Sequence, residues 1–192
     1  MRKRILMAGL VGLTLLVGLF GLVGPAAAAD QSITVTATGE YLVFTFTGGN
    51  WTLNSGNPIN ANTWFYSNPL GGTTAPSNPV TAGECANTVT NTGNVAIDIT
   101  VKWADMTGTG DPWTNSDAGT NGSMVFGGKA QIDGVNWSAA VVAKNTATYN
   151  TLISDLAAAG HNHAVFGLYS PTAFTDGNAK SSSITLTATE HV

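Results

Sequence analysis

The sequence predicts an all-β protein: a single antiparallel β-sandwich with one short helix. Three observations point that way. Apolar residues recur at every second position in several short runs, as half-buried strands require. Clusters of Gly, Pro, Asn and Asp separate the runs and mark turns. The 192 residues are 43% apolar and only 9% charged, and the aromatic and β-branched residues are too plentiful for a disordered chain. Varied strand and loop lengths argue against a closed barrel.

The N-terminus stands apart. Arg2, Lys3 and Arg4 precede an apolar run from Ile5 to Val23, and Pro25 leads into Ala26–Ala29. A basic start, an apolar stretch and an Ala-x-Ala exit read as a secretory signal peptide over residues 1–29, with the β-sandwich domain in residues 30–192. The apolar run is nearly long enough to span a bilayer, so retention as an anchor is the alternative. No later apolar run is as long, so no membrane contact is expected after cleavage. Residues 30–192 hold four lysines (Lys102, Lys129, Lys144, Lys180), no arginine and all eleven acids, a net charge of −7. That balance excludes nucleic acid as a partner, because phosphate contacts need a basic patch. The length suits one domain. The sole cysteine, Cys85, has no internal disulfide partner. It reads as a small buried apolar residue, with an intermolecular disulfide or a reactive thiol as the alternatives.

The strands follow in order. Ser32–Thr38 alternates strictly, with Ile33, Val35 and Ala37 on one face. Tyr41–Thr47 places Leu42, Phe44 and Phe46 together, and Trp51–Leu53 reads as a short continuation. Residues 54–84 are broken by Pro58, Pro69, Pro76 and Pro79 and read as loops, with a strand inside them over Asn62–Ser67. Ala86–Asn91 and Val95–Trp103 form a hairpin or one bent strand around Gly93. The second of them is the clearest alternation in the chain: Val95, Ile97, Ile99, Val101 and Trp103 share a face. A polar loop covers 104–122. Ser123–Phe126, Lys129–Asp133 and Val135–Ala143 read as strands with turns at Gly127-Gly128 and Asp133-Gly134. Thr148–Ala159 carries Tyr149, Leu152, Ile153, Leu156 and Ala157 at helical spacing and predicts the one helix, ended by Gly160. Ala164–Tyr169 and Ser182–Thr189 close the domain. One internal match stands out. Ser32–Thr38 and Ser183–Thr189 differ only where Val35 is replaced by Leu186. Two such strands either arose independently as good strand sequence or mark strand exchange between copies.

Candidate sites are few. Asp105, Asp111 and Asp117 lie in a glycine-rich loop whose oxygens suit calcium; solvated turn acids are the simpler reading, because the spacing is not that of an EF-hand. Trp113 sits in the same loop. It either anchors the loop or stands exposed to stack on a sugar. His161 and His163 would share a strand face as metal ligands, with a polar loop as the ordinary reading. Asn50, Asn121 and Asn136 begin N-glycosylation sequons. There is no Gly-x-Ser-x-Gly elbow, phosphate loop or His-Glu-x-x-His helix, so no enzymatic activity is expected.

Val89–Val101, with its V-x-N-x-G turn leading into an alternating strand, resembles the early strands of secreted prokaryotic immunoglobulin-like domains. Phe166–Pro171 followed by Ser183–Thr189 is similar to their closing strands. The resemblance covers about a fifth of residues 30–192. It implies an immunoglobulin-like or jelly-roll-like sandwich of the kind found in adhesins, surface-layer proteins and biofilm-matrix fibre subunits of the TasA group. The expected function is a secreted, non-enzymatic structural subunit of the cell surface or extracellular matrix, self-associating by strand exchange. The alternative is an extracellular module that binds carbohydrate, such as a surface glycan, or another ligand. No cofactor beyond the candidate calcium is expected.

Overall fold

A computed structural model describes residues 41–68, 72–146 and 149–192, all within the unit Gly39–Val192. The expected leader (residues 1–29) and the strand Ser32–Thr38 lie outside the described residues, as does Pro69.

The all-β class holds. In chain order the strands are β1 (Phe44–Thr47), β2 (Trp64–Tyr66), β3 (Asn87–Asn91), β4 (Ile97–Trp103), β5 (Thr107–Gly108), β6 (Thr114–Asn115), β7 (Val125–Ile132), β8 (Val141–Val142), β9 (Asn150–Leu156), β10 (His161–Tyr169), β11 (Lys180–Ser181) and β12 (Ile184–Glu190). The helical turns among the described residues are short 3-10 segments at Leu53–Gly56, Ala82–Glu84 and Trp137–Ala139. None is long and apolar enough to cross a membrane.

The larger sheet runs β1-β3-β10-β7-β6, with β2 also on β10 and β8 also on β7. The smaller runs β12-β4-β9, and β5 pairs with β11 in a separate ribbon. Pairing is antiparallel except between β6 and β7. Period-two sequence explains the main strands. On β4, Ile97, Ile99, Val101 and Trp103 are buried while Asp98, Thr100 and Lys102 point away. On β10, Ala164, Phe166 and Leu168 enter the same apolar cluster from the larger sheet, beside Phe126 and Ala130 of β7. Val165 faces the other way and joins Tyr66 and Val80 in a second, small cluster.

Several expectations change. Ala86–Asn91 and Val95–Trp103 are neither hairpin nor bent strand: β3 belongs to the larger sheet and β4 to the smaller, so the Gly93 turn carries the chain across. Gly93 is required there, because a Cβ would fall 2.1 Å from the Tyr41 carbonyl oxygen. The two segments Ser123–Phe126 and Lys129–Asp133 are one strand, β7. Its Gly128 admits the Trp103 indole, which a Cβ would meet at 2.7 Å. Trp51–Leu53 runs into a 3-10 turn, and Val135–Ala143 holds only a 3-10 turn and the two-residue β8.

The expected helix over Thr148–Ala159 is the strand β9, and the cause is local. Ile97 pairs with Leu156 and Ile99 with Ile153, so three steps on β9 match two on β4. A second irregularity follows between Ile99 and Thr100. These bulges insert extra residues and bring Leu152, Ile153 and Leu156 all to the buried side. The spacing that mimics a helix is thus a bulged strand. Asp155 adopts φ 55° at the bulge, and its N–H donates to Asp98 Oδ1 at 2.9 Å.

Candidate functional site: an open apolar groove

An open groove of about 1040 Å³ lies between the two main sheets. Phe44 and Phe46 of β1 line one side, Ile184 and Leu186 of β12 another, with Trp103 and Phe166 between. Among the described residues, the flanking strands are both sheet edges. Among the described residues β1 pairs only with β3, and β12 only with β4. Their inward side chains are accordingly incompletely covered. Phe46 remains 43% exposed, whereas Val101, the β4 partner of Leu186, is fully buried. Alternation in the sequence placed Phe44 and Phe46 on one face, but it carried no sign that this face would stay open.

Such a groove suits an extended peptide. Strand edges that no described strand pairs offer backbone N–H and C=O groups, and the lining offers sites for alternate apolar side chains. The charged residues Asp176 and Lys180 also line it, and they satisfy each other. The Lys180 ammonium is fully buried and donates to Asp176 Oδ1 at 3.0 Å, Asp176 Oδ2 at 3.1 Å and the Thr109 carbonyl. This bond, with a further one from the Asn178 N–H, holds the Asp176 carboxyl below the usual range.

Trp113 is buried at 7% exposure and stacks on Phe174 with ring centroids 5.1 Å apart. It anchors its loop and lines the groove; it offers no open face for a sugar. Its indole N–H is enclosed without a partner, as is that of Trp51. The half-buried aromatics lie elsewhere. On the outer face of β2 and β10, Trp64 stacks on Tyr169 at 4.9 Å, Trp137 meets Trp64 edge-on, and the Lys129 ammonium sits 5.6 Å from the Trp64 ring centre.

The three loop aspartates do not converge. Asp105 Oδ1 accepts the Asn115 N–H at 2.7 Å, Asp111 Oδ2 accepts the Thr175 hydroxyl at 2.8 Å, and Asp117 Oδ1 accepts the Asn145 N–H at 3.0 Å. Each fastens a different part of the loop. His161 and His163 lie on a strand rather than a loop, with rings 5.5 Å apart, and His163 Nδ1 is 3.5 Å from Asp133 Oδ2. Among the described residues, no three His, Cys, Asp or Glu side chains form a metal-holding group. Cys85 is half-buried against the small cluster, and its thiol is pushed up to about 12 by burial and by the nearby Asp133 and Glu84 charges. Of the sequon asparagines, Asn50 and Asn136 are exposed, while the Asn121 amide is engaged with Asn62 and the Ser170 carbonyl.

Fold and groove together define an all-β protein of antiparallel sheets with an open apolar slot between two sheet edges. Compared with known protein families, curated proteins and solved structures, the chain gives no significant match.

Proposed function

We propose that the chain is a secreted, non-enzymatic β-sandwich acting as a structural subunit of the cell surface or extracellular matrix, and that it self-associates into fibres through strand pairing. One observation carries the reading: among the described residues, the groove is flanked by two sheet edges whose apolar side chains are incompletely covered. Proteins that stay monomeric protect such edges with charges, prolines or bulges. Here the outward residues of β12 are Thr185, Thr187 and Thr189, and charge appears only at Glu190. The basic, apolar leader supports export. Electron microscopy of the purified chain tests the reading. Fibres or ordered oligomers are expected; strictly monomeric particles at all concentrations contradict it.

A second reading, an extracellular module for surface glycans, draws on the Trp64, Trp137 and Tyr169 cluster. Aromatic rings beside amides such as Asn62, which accepts the Tyr169 hydroxyl at 2.7 Å, suit sugar contacts. A glycan array with no signal removes it.

A further inference from the structure

We infer that the outer face of β2 and β10 is a subsite for an acidic sugar, whose ring packs on Trp64 and Tyr169 and whose anionic group pairs with Lys129. The inference rests on the glycan-module reading and names its ligand class. It does not depend on self-association.

Strand register builds the site. Trp64 pairs with Tyr169, and Gly167 lies between Tyr66 on β2 and Lys129 on β7. Period two sets Gly167 and Tyr169 on the face of β10 that Val165 shares, away from the main apolar cluster. Gly167 forms the floor. A Cβ there would meet Trp137 Cη2 and Cζ2 at 2.7 Å and Trp64 Cζ3 at 3.3 Å. With no side chain at that point, Trp137 settles against the sheet and Lys129 reaches across it toward Trp64. The Trp64 and Tyr169 rings are 4° from parallel, and both stay half-buried, as do Trp137 and Lys129.

Two observations define the ligand. The first is charge. Residues 30–192 hold eleven acids and four lysines, so carboxylates outnumber ammonium groups. Lys180 is buried on Asp176. Lys129 instead stands 5.6 Å from the Trp64 ring centre, and none of the ion pairs among the described residues includes it. Its stem runs beside Gly119, where a Cβ would lie 3.2 Å from Lys129 Cε. The stem is packed and the charged head is left at the aromatic face. A ligand cation would meet a positive charge already in place; an anion finds its partner. The second is the hydrogen-bonding rim. Asn62 Oδ1 accepts the Tyr169 hydroxyl at 2.7 Å and the Asn121 amide at 3.0 Å. The exposed Asn62 amide nitrogen is thus turned outward as a donor, and the Tyr169 hydroxyl keeps lone pairs to accept. A pyranose matches this arrangement, with C–H groups on its faces for the rings and hydroxyls at its rim for Asn62 and Tyr169. A carboxylate or sulfate on the sugar adds the partner that Lys129 lacks.

Binding of the purified full chain to immobilised glycans at neutral pH tests this. The probes are oligosaccharides of galacturonate, glucuronate and mannuronate, each beside its methyl ester, and a sulfated galactan beside its desulfated form. At least one acidic probe should bind about tenfold or more tighter than its neutral counterpart. Added salt should erode the preference. Lys129→Met, which keeps the stem, should abolish it at unchanged melting temperature, and Trp64→Phe should weaken both members of the pair. The carboxylated and sulfated arms show which anion the site takes. Equal binding of acidic and neutral members, or a preference that survives Lys129→Met, overturns the inference and leaves the glycan-module reading standing. Absence of binding to every probe overturns both.

Discussion

Asn91 is bound to Leu156 across 65 positions of sequence. The Asn91 amide donates to the Leu156 carbonyl at 2.9 Å and to the Val95 carbonyl at 2.8 Å, and its Oδ1 accepts the Gly93 N–H at 2.9 Å. One fully buried side chain thereby fixes the turn that leaves the larger sheet and ties it to β9 of the smaller. Asn91→Ala removes the donor to the Leu156 and Val95 carbonyls, each worth about 1–3 kcal/mol when left unpaired in the interior, while the Gly93 N–H keeps the Val43 carbonyl. A loss of about 2–4 kcal/mol in urea denaturation is expected. A change under about 0.5 kcal/mol would show that the clasp is incidental.

The two faces of the smaller sheet should respond differently. Ile99 is fully buried on β4, and Ile99→Ala should cost about 2–5 kcal/mol through lost burial and the cavity left behind. Thr187 is exposed on β12, and Thr187→Ala should stay within about 0.5 kcal/mol in the monomer. Denaturant midpoints of the two variants, measured side by side, check the assignment of faces.

Glu84 sets an acid limit. Its carboxylate accepts the N–H groups of Ser77 and Thr81 and both their hydroxyls. The Ser77 hydroxyl is the largest cause, and the group titrates at about 2 rather than near 4.5. A carboxyl with a lowered folded-state value stabilises the protein above its unfolded value. That contribution fades as pH falls from about 4.5 to about 2. Melting temperature should therefore drop across this window, and Glu84→Gln should flatten the drop. An equal slope in the variant would assign the acid response to other carboxylates, such as Asp98, which the Asp155 N–H and His191 also hold low.

The loop around Asp111 should not need calcium. Asp105, Asp111 and Asp117 each serve a separate bond, and the cation beside Asp176 is the chain's own Lys180 ammonium. Excess EDTA should leave the melting temperature unchanged, and Lys180→Met should lower it. A rise of several degrees on adding calcium would show that the aspartates converge when the ion is present.

Much of the fold was legible because β4 and β12 obey period two, and a buried face on one side leaves alternation as the only pattern that works. β9 was misread because its bulges place Leu152, Ile153 and Leu156 at helical spacing. The Gly127-Gly128 pair looked like a turn because local sequence does not show that an indole from β4 needs the space. The groove was legible only in part. Phe44, Phe46 and the alternation of Ser183–Thr189 were visible, but an uncovered edge depends on which strands lie beside it. Trp113 follows the same logic: a polar neighbourhood in sequence says little about burial when Phe174, far along the chain, supplies the contact.

The most direct test of the central claim is sedimentation velocity of the purified chain over a wide concentration range, with Phe46→Asp alongside. The account predicts concentration-dependent oligomers for the natural sequence. For Phe46→Asp, which sets a carboxylate in the apolar groove, it predicts assembly weakened at least tenfold. A natural chain that stays monomeric throughout, or a variant that assembles equally well, would contradict it.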